Sequence, residues 1–276
     1  WLDWVATQSY GWTDAGGNLM PDGIPVNTPA KLYSLAYAIR TDYAPNSGAA
    51  AGTSYANGAY KLIADLDLSG FAWQPIGTST RAFTGVFEGV GVHTITGITH
   101  KAGLTENGIF GVVAAPVADL NGTTRPSGTD WVSLYDKTLI QNLAVDGGGK
   151  AWESGTTTHM GGIAAKATSA TIQNCSVRNL TLKILNTANH VFAGGIVGET
   201  TTCQLLNNAV STVSITADAG AGDFNSHAGG IVGKAATTEI SGNTVGGNNA
   251  HMVTIVADPA NDNAAANYAG GVVGYM

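Results

Sequence analysis

The chain has 276 residues and a net charge of −7, from 12 Lys and Arg against 19 Asp and Glu. Charged residues make up only 11%, less than half the usual share of about 25%. The 38 glycines, with Thr, Ser and Asn, must therefore build much of the surface. Scattered cations exclude a surface that competes for nucleic-acid phosphate or anionic lipid, and no apolar run approaches the roughly 18 residues of a membrane span.

In chain order, residues 1–17, WLDWVATQSYGWTDAGG, lack a basic start and an apolar stretch. They are not a signal peptide, and Trp1 reads as the start of a processed chain. Residues 28–43, TPAKLYSLAYAIRTDY, carry Leu32, Leu35, Ala36, Ile39 and Tyr43 at helical spacing behind Thr28 and Pro29. This predicts a helix, and a single helix ahead of a β stack can cover its first open edge. The expected division is an N-terminal segment, 1–60, with that helix, and a stack over 61–276.

From residue 161 onward the chain repeats. The pairs Gly161-Gly162, Gly194-Gly195, Gly229-Gly230 and Gly270-Gly271 recur at steps of 33, 35 and 41 residues, the second, third and fourth within AGGIVG, AGGIVG and AGGVVG. Aligned on them, Ile163, Ile196, Ile231 and Val272 form one aliphatic column. Ile140, Ile172, Leu205 and Ile240 form a second, and Val145, Val177, Val210 and Val245 a third. Asn142, Asn174 and Asn207 form a polar column beside Leu143, Cys175, Asn208 and Asn243.

No unit has room for a helix, and short alternating runs such as TLKI, VSIT and VTIV have strand period. The pattern predicts an all-β, single-stranded right-handed parallel β-helix, a solenoid of about 33–41 residues per coil with an N-terminal capping helix. Three short strands per coil are expected, with AGGIVG marking one of them and the Asn columns bonding along the stack. The polar segments NTANH, DAGAGDFNSH and DPANDNAAAN should emerge along one edge. AGGVVGYM ends one strand into a new coil, which predicts an end-to-end neighbour or a longer parent chain.

YKLIADLDLSGFAWQPIG, FTGVFEGVGVHTITGI and the repeated AGGIVG resemble the GLUG-type glycine-rich β-helix repeats of bacterial, Bacteroidetes-like surface proteins, also found ahead of immunoglobulin A protease regions. The resemblance covers residues 28–276. It implies an exported adhesin-like or stalk module at an extracellular or bacterial cell-surface location, with a glycan or host extracellular protein as partner. It supplies no catalytic motif.

Four candidate ligand-binding residues, His159, Phe192, His227 and Tyr268, each lie two residues before a glycine pair. They form either an aromatic ladder or a stacking strip for sugar rings. Asp65 and Asp67 share one strand face, where they could hold calcium, serve acid/base chemistry or accept hydrogen bonds from the capping segment. Asp218, Asp223, Asp258 and Asp262 are loop acids beside Asn and Gly, which makes calcium the one cofactor to consider. Cys175 and Cys203 are offset by five columns, too far for a disulfide.

The chain has no Asp-Asp and no His-Gly step of the pectin-hydrolase kind. Arg40, Arg81, Arg125 and Arg178 do not cluster as a lyase site would require. The reading is therefore a non-catalytic module. The alternatives are a carbohydrate-active β-helix enzyme, meaning a polysaccharide lyase or glycoside hydrolase, and an accessory stalk of a secreted protease.

Overall fold

The computed structural model describes residues 23–41, 55–115, 138–186, 188–220, 224–246, 253–257 and 266–276. Within these the chain is a parallel β-helix whose strands pair only with their counterparts one coil away, all in parallel register. Sheet I runs through Ile24–Val26, Ala59–Leu62, Val86–Gly89, Thr138–Gln141, Ala170–Gln173, Gln204–Leu206 and Glu239–Ser241. Sheet II runs through Leu66–Asp67, Thr94–Thr96, Ala144–Ser154, Ser176–Leu185 and Ala209–Asp218, then Thr244–Val245 and Val253–Ala257.

Sheet III holds Glu106–Asn107, His159–Gly161, Val191–Gly194, Ser226–Gly229 and Asn267–Gly270. Sheet IV holds Phe110–Val113, Ala164–Thr168, Val197–Thr201, Val232–Ala236 and Val273–Tyr275. Each complete coil thus has four strand segments where the sequence suggested three. The difference lies at AGGIVG, which is a corner and not a strand: in its first full copy Ala193 and Gly194 end sheet III, and Val197 and Gly198 open sheet IV.

The aliphatic columns point inward. Tyr60, Phe87, Ile140, Ile172 and Leu205 stack through sheet I, each 0–1% exposed, and Leu66, Ile95, Val145, Val177 and Val210 do so through sheet II. Burying each contributes roughly 1.5–3 kcal/mol.

The second glycines of the first three pairs, Gly162, Gly195 and Gly230, sit at the III/IV corner, pressed against the sheet II valines. A Cβ on Gly162 would lie 2.5 Å from the Gly195 carbonyl oxygen and 2.6 Å from Val177 Cγ2. The core is one residue thin there, so no side chain fits.

The I/II corner separates two tasks. Asn142, Asn174 and Asn207 take left-handed backbone, with φ of 58°, 53° and 54°, a conformation Asn adopts more readily than most residues. The bonding along the stack falls to the adjacent column. Asn208 Oδ1 accepts from Cys175 N at 2.9 Å, and its amide donates to Ile172 O at 3.0 Å and Asn243 Oδ1 at 2.9 Å. The hydrogen-bonding task expected of both Asn columns thus belongs to Asn208 and Asn243.

The helix, α1, spans Pro29–Thr41. Thr28 Oγ1 accepts from Lys31 N at 3.3 Å, an N-cap contact. Its Leu32, Leu35, Ala36 and Ile39 join the same core as the first coils. Tyr33 packs on Phe71 with ring centroids 5.4 Å apart, and Arg81 Nη1 donates to the Arg40 carbonyl at 3.1 Å. Because Ile24–Val26 already pairs with Ala59–Leu62, the stack begins ahead of the helix and not at residue 61.

Candidate functional site

The outward column of sheet III brings the four aromatic candidates together. Register aligns Glu106, His159, Phe192, His227 and Tyr268 on successive coils. Ring centroids are 4.8 Å apart for His159–Phe192, 4.9 Å for Phe192–His227 and 4.9 Å for His227–Tyr268, with interplanar angles of 22°, 13° and 12°. The spacing is that of the strands themselves.

This stacking settles how the rings can be used. Both faces of Phe192 and His227 are taken by neighbouring rings, and the two residues are buried, at 9% and 4% exposure. As a platform for sugar rings these two are therefore excluded. Tyr268 ends the ladder, with Tyr275 against it at 4.6 Å.

Beside the ladder, across the III/IV corner, the outward column of sheet IV holds Lys166, Glu199, Lys234 and Tyr275. Glu199 is the hub: Lys166 Nζ lies 3.2 Å from it, Lys234 Nζ 3.0 Å and His159 Nε2 3.1 Å. The His159 hydrogen bond, then Lys234, hold its carboxyl well below the ordinary carboxylate range despite partial burial. Lys234 Nζ also stands 5.2 Å from the Phe192 ring centroid, a cation–π distance.

Burial, aided by the charges of Lys234 and His190, lowers His227 to about 4. An ionised carboxylate bound by three donors and a neutral stacked imidazole make a fixed strut. His159 stands between Glu199 and the Thr158 hydroxyl, whose Oγ1 lies 2.8 Å from its Nδ1. The charged column escaped the sequence reading, although its members each follow the first glycine of a pair by five residues and so lay in the same alignment.

The described acids do not converge. Asp65 Oδ1 accepts from Thr94 N at 2.8 Å, and Asp67 Oδ1 from Ser69 N at 2.9 Å. Their partners are the next coil and their own turn, not the capping segment. Asp218 Oδ1 accepts from Gly220 N at 2.7 Å, closing a local turn. Asp223, Asp258 and Asp262 lie outside the described residues. Among the described residues no three His, Cys, Asp or Glu come together as a metal-holding group.

Cys175 and Cys203 are both free and buried, at opposite ends of the sheet I strands. Cys203 aligns with Ala170 by the register of Thr171 with Gln204, so the four-residue strand Ala170–Gln173, roughly 13 Å long, separates the thiols. Burial pushes the Cys175 thiol up to about 12.

The fold is that of a stacked parallel β-helix with a polar, charge-poor exterior. No protein-family model matches the chain, and neither does any curated protein or solved structure.

Proposed function

We propose that the chain is a non-catalytic display module of an extracellular or bacterial-surface protein, presenting polar connections to a glycan or a host protein. The observation that carries this reading is where the connections leave the stack. Leu185 to Val191, Asp218 to Ser226 and Ala257 to Asn267 all join sheet II to sheet III in successive coils, and they differ in length while the strands on either side keep register. A rigid stack with variable loops along one edge is a scaffold suited to recognition. The resemblance to GLUG-type repeats supports the same reading.

Screening the purified chain on a glycan array and against host extracellular proteins, with a parallel assay for reducing-end and unsaturated sugar products, tests the reading. Saturable binding without product is expected. Turnover would replace it with the enzyme reading.

A further inference from the structure

At the first ring of the aromatic ladder three side chains form a line of contacts across the III/IV corner. Thr158 Oγ1 lies 2.8 Å from His159 Nδ1, and His159 Nε2 lies 3.1 Å from Glu199 Oε2. Thr158 is half-buried just ahead of the strand His159–Gly161, and Glu199 comes from Val197–Thr201 one coil on.

The chemistry of the partners fixes which ring nitrogen carries the proton. Glu199 is ionised, held so by the His159 hydrogen bond first, then by Lys234 and Lys166, against partial burial. A carboxylate in that state only accepts hydrogen bonds, so the nitrogen facing it, Nε2, is the donor. In the neutral ring Nδ1 then holds a bare lone pair, directed at the Thr158 hydroxyl. That hydroxyl also reaches the Thr105 carbonyl, but at 3.2 Å, against 2.8 Å to Nδ1.

The line is held from both ends. Phe192 stacks on the imidazole with ring centroids 4.8 Å apart, and Lys166 and Lys234 fix Glu199 at 3.2 and 3.0 Å. A hydroxyl beside a base that a third group orients is the arrangement that turns a poor nucleophile into a reactive one. The coil that carries His227 does not repeat it. Ser226 is fully buried with its Oγ accepting from Ala219 N at 2.9 Å, and His227 Nδ1 is buried without a partner among the described residues.

We propose that Thr158 is an acyl-acceptor site, modified by an activated acyl donor such as a thioester or an aryl ester. The Oγ–C bond forms as the donor's C–S or C–O bond breaks. The hydroxyl proton passes to His159 Nδ1 and from there to the departing thiolate or phenolate. The step stops at the threonine ester, because the backbone N–H groups of Thr158 and His159, which could steady a tetrahedral intermediate, are both spent on the Thr105 carbonyl at 2.9 and 3.2 Å. An activated donor tolerates that loss, whereas the alkyl ester it leaves behind does not. The proposal goes beyond the display reading and does not depend on it, since a module modified once is still non-catalytic.

The test treats the whole chain with p-nitrophenyl acetate and, separately, with the acetyl thioester of N-acetylcysteamine, and locates the acetyl groups by peptide mass spectrometry. Lys101 and Lys150, both exposed, acylate without an adjacent base and give a reference rate in every sample. The same treatment is applied to Thr158→Val, Thr158→Ser and His159→Phe, the last keeping a ring in the stack beside Phe192. Circular dichroism and melting curves establish that the variants keep the fold.

A single acetyl group on Thr158 is expected, retained at the same position in Thr158→Ser, absent from Thr158→Val, and formed about a hundredfold more slowly in His159→Phe. The reference lysines should label alike in every chain. Thr158 left unlabelled by both donors, or labelled at the same rate in His159→Phe, overturns the acceptor and leaves the display reading standing. Nitrophenol released continuously in a Thr158-dependent manner also overturns it, and with it the non-catalytic part of the display reading.

Discussion

At the scale of single residues, the corners record where the backbone is forced into conformations that side chains resist. Thr202 and Thr237 hold φ of 55° and 49°, a region in which a β-branched residue is an outlier. The I/II corner solves the same problem with Asn142, Asn174 and Asn207. Thr202→Asn should therefore stabilise the chain by on the order of 1 kcal/mol, read as a rise in melting temperature. An unchanged or lower value would show that the threonine side chain contributes more than its backbone costs.

Two histidines give the fold a pH dependence. Burial lowers His100 to about 4, partly offset by its contact with the Gly108 carbonyl, and burial lowers His227 to about 4 as well. Between about pH 4 and the ordinary value of 6.5 the unfolded chain binds more protons at these rings than the folded chain does. Stability is thus fully present above that window and falls as pH drops through it. Denaturant melts at stepped pH should show this decline, and His227→Phe, which keeps the ladder, should flatten part of it.

At the scale of elements, close approach and polar satisfaction set the tolerance to change. Gly162→Ala forces a Cβ into the Gly195 carbonyl and Val177, backbone and a packed core side chain that cannot easily yield. It should cost about 1–3 kcal/mol. Gly70→Ala, with nothing within 4 Å of the added carbon, should be close to neutral in the same melting assay.

Asn208 is fully buried and is the partner of Cys175 N and Ile172 O. Asn208→Leu leaves both backbone groups unpaired, at about 1–3 kcal/mol each. A melting temperature close to that of the unsubstituted chain would mean that water takes the place of the amide.

At the scale of the whole molecule, each coil is stabilised by the coils on either side, so protection should be graded along the stack. The inward columns are fully covered through Leu205 and Ile215, whereas their successors Ile240 and Ile255 are only partly buried. Amide hydrogen exchange should be slowest in the strands around 170–217 and fastest in 239–245 and 253–257.

The coil period, the inward columns and the helix were legible because burial imposes them on residue type one position at a time. The four-strand cross-section was not, because a glycine pair looks the same in a strand and in a corner. Nor was the mid-strand bend of sheet II, where Asn179 and Thr212 hold φ of 52° and 53° inside runs that read as ordinary strands.

What the sequence determined by itself is the ladder. Apolar and aromatic residues recurring at one place per repeat can be satisfied only by stacking like on like, whatever the outline of the coil. What the tertiary structure decided is which faces remain free. The aromatic column, the obvious ligand candidate in the sequence, spends its ring faces on itself, because strand spacing and ring-stacking distance nearly coincide. It also decided that sheet II bends in mid-strand, because the left-handed residues Asn179 and Thr212 take effect only when successive coils are laid on one another.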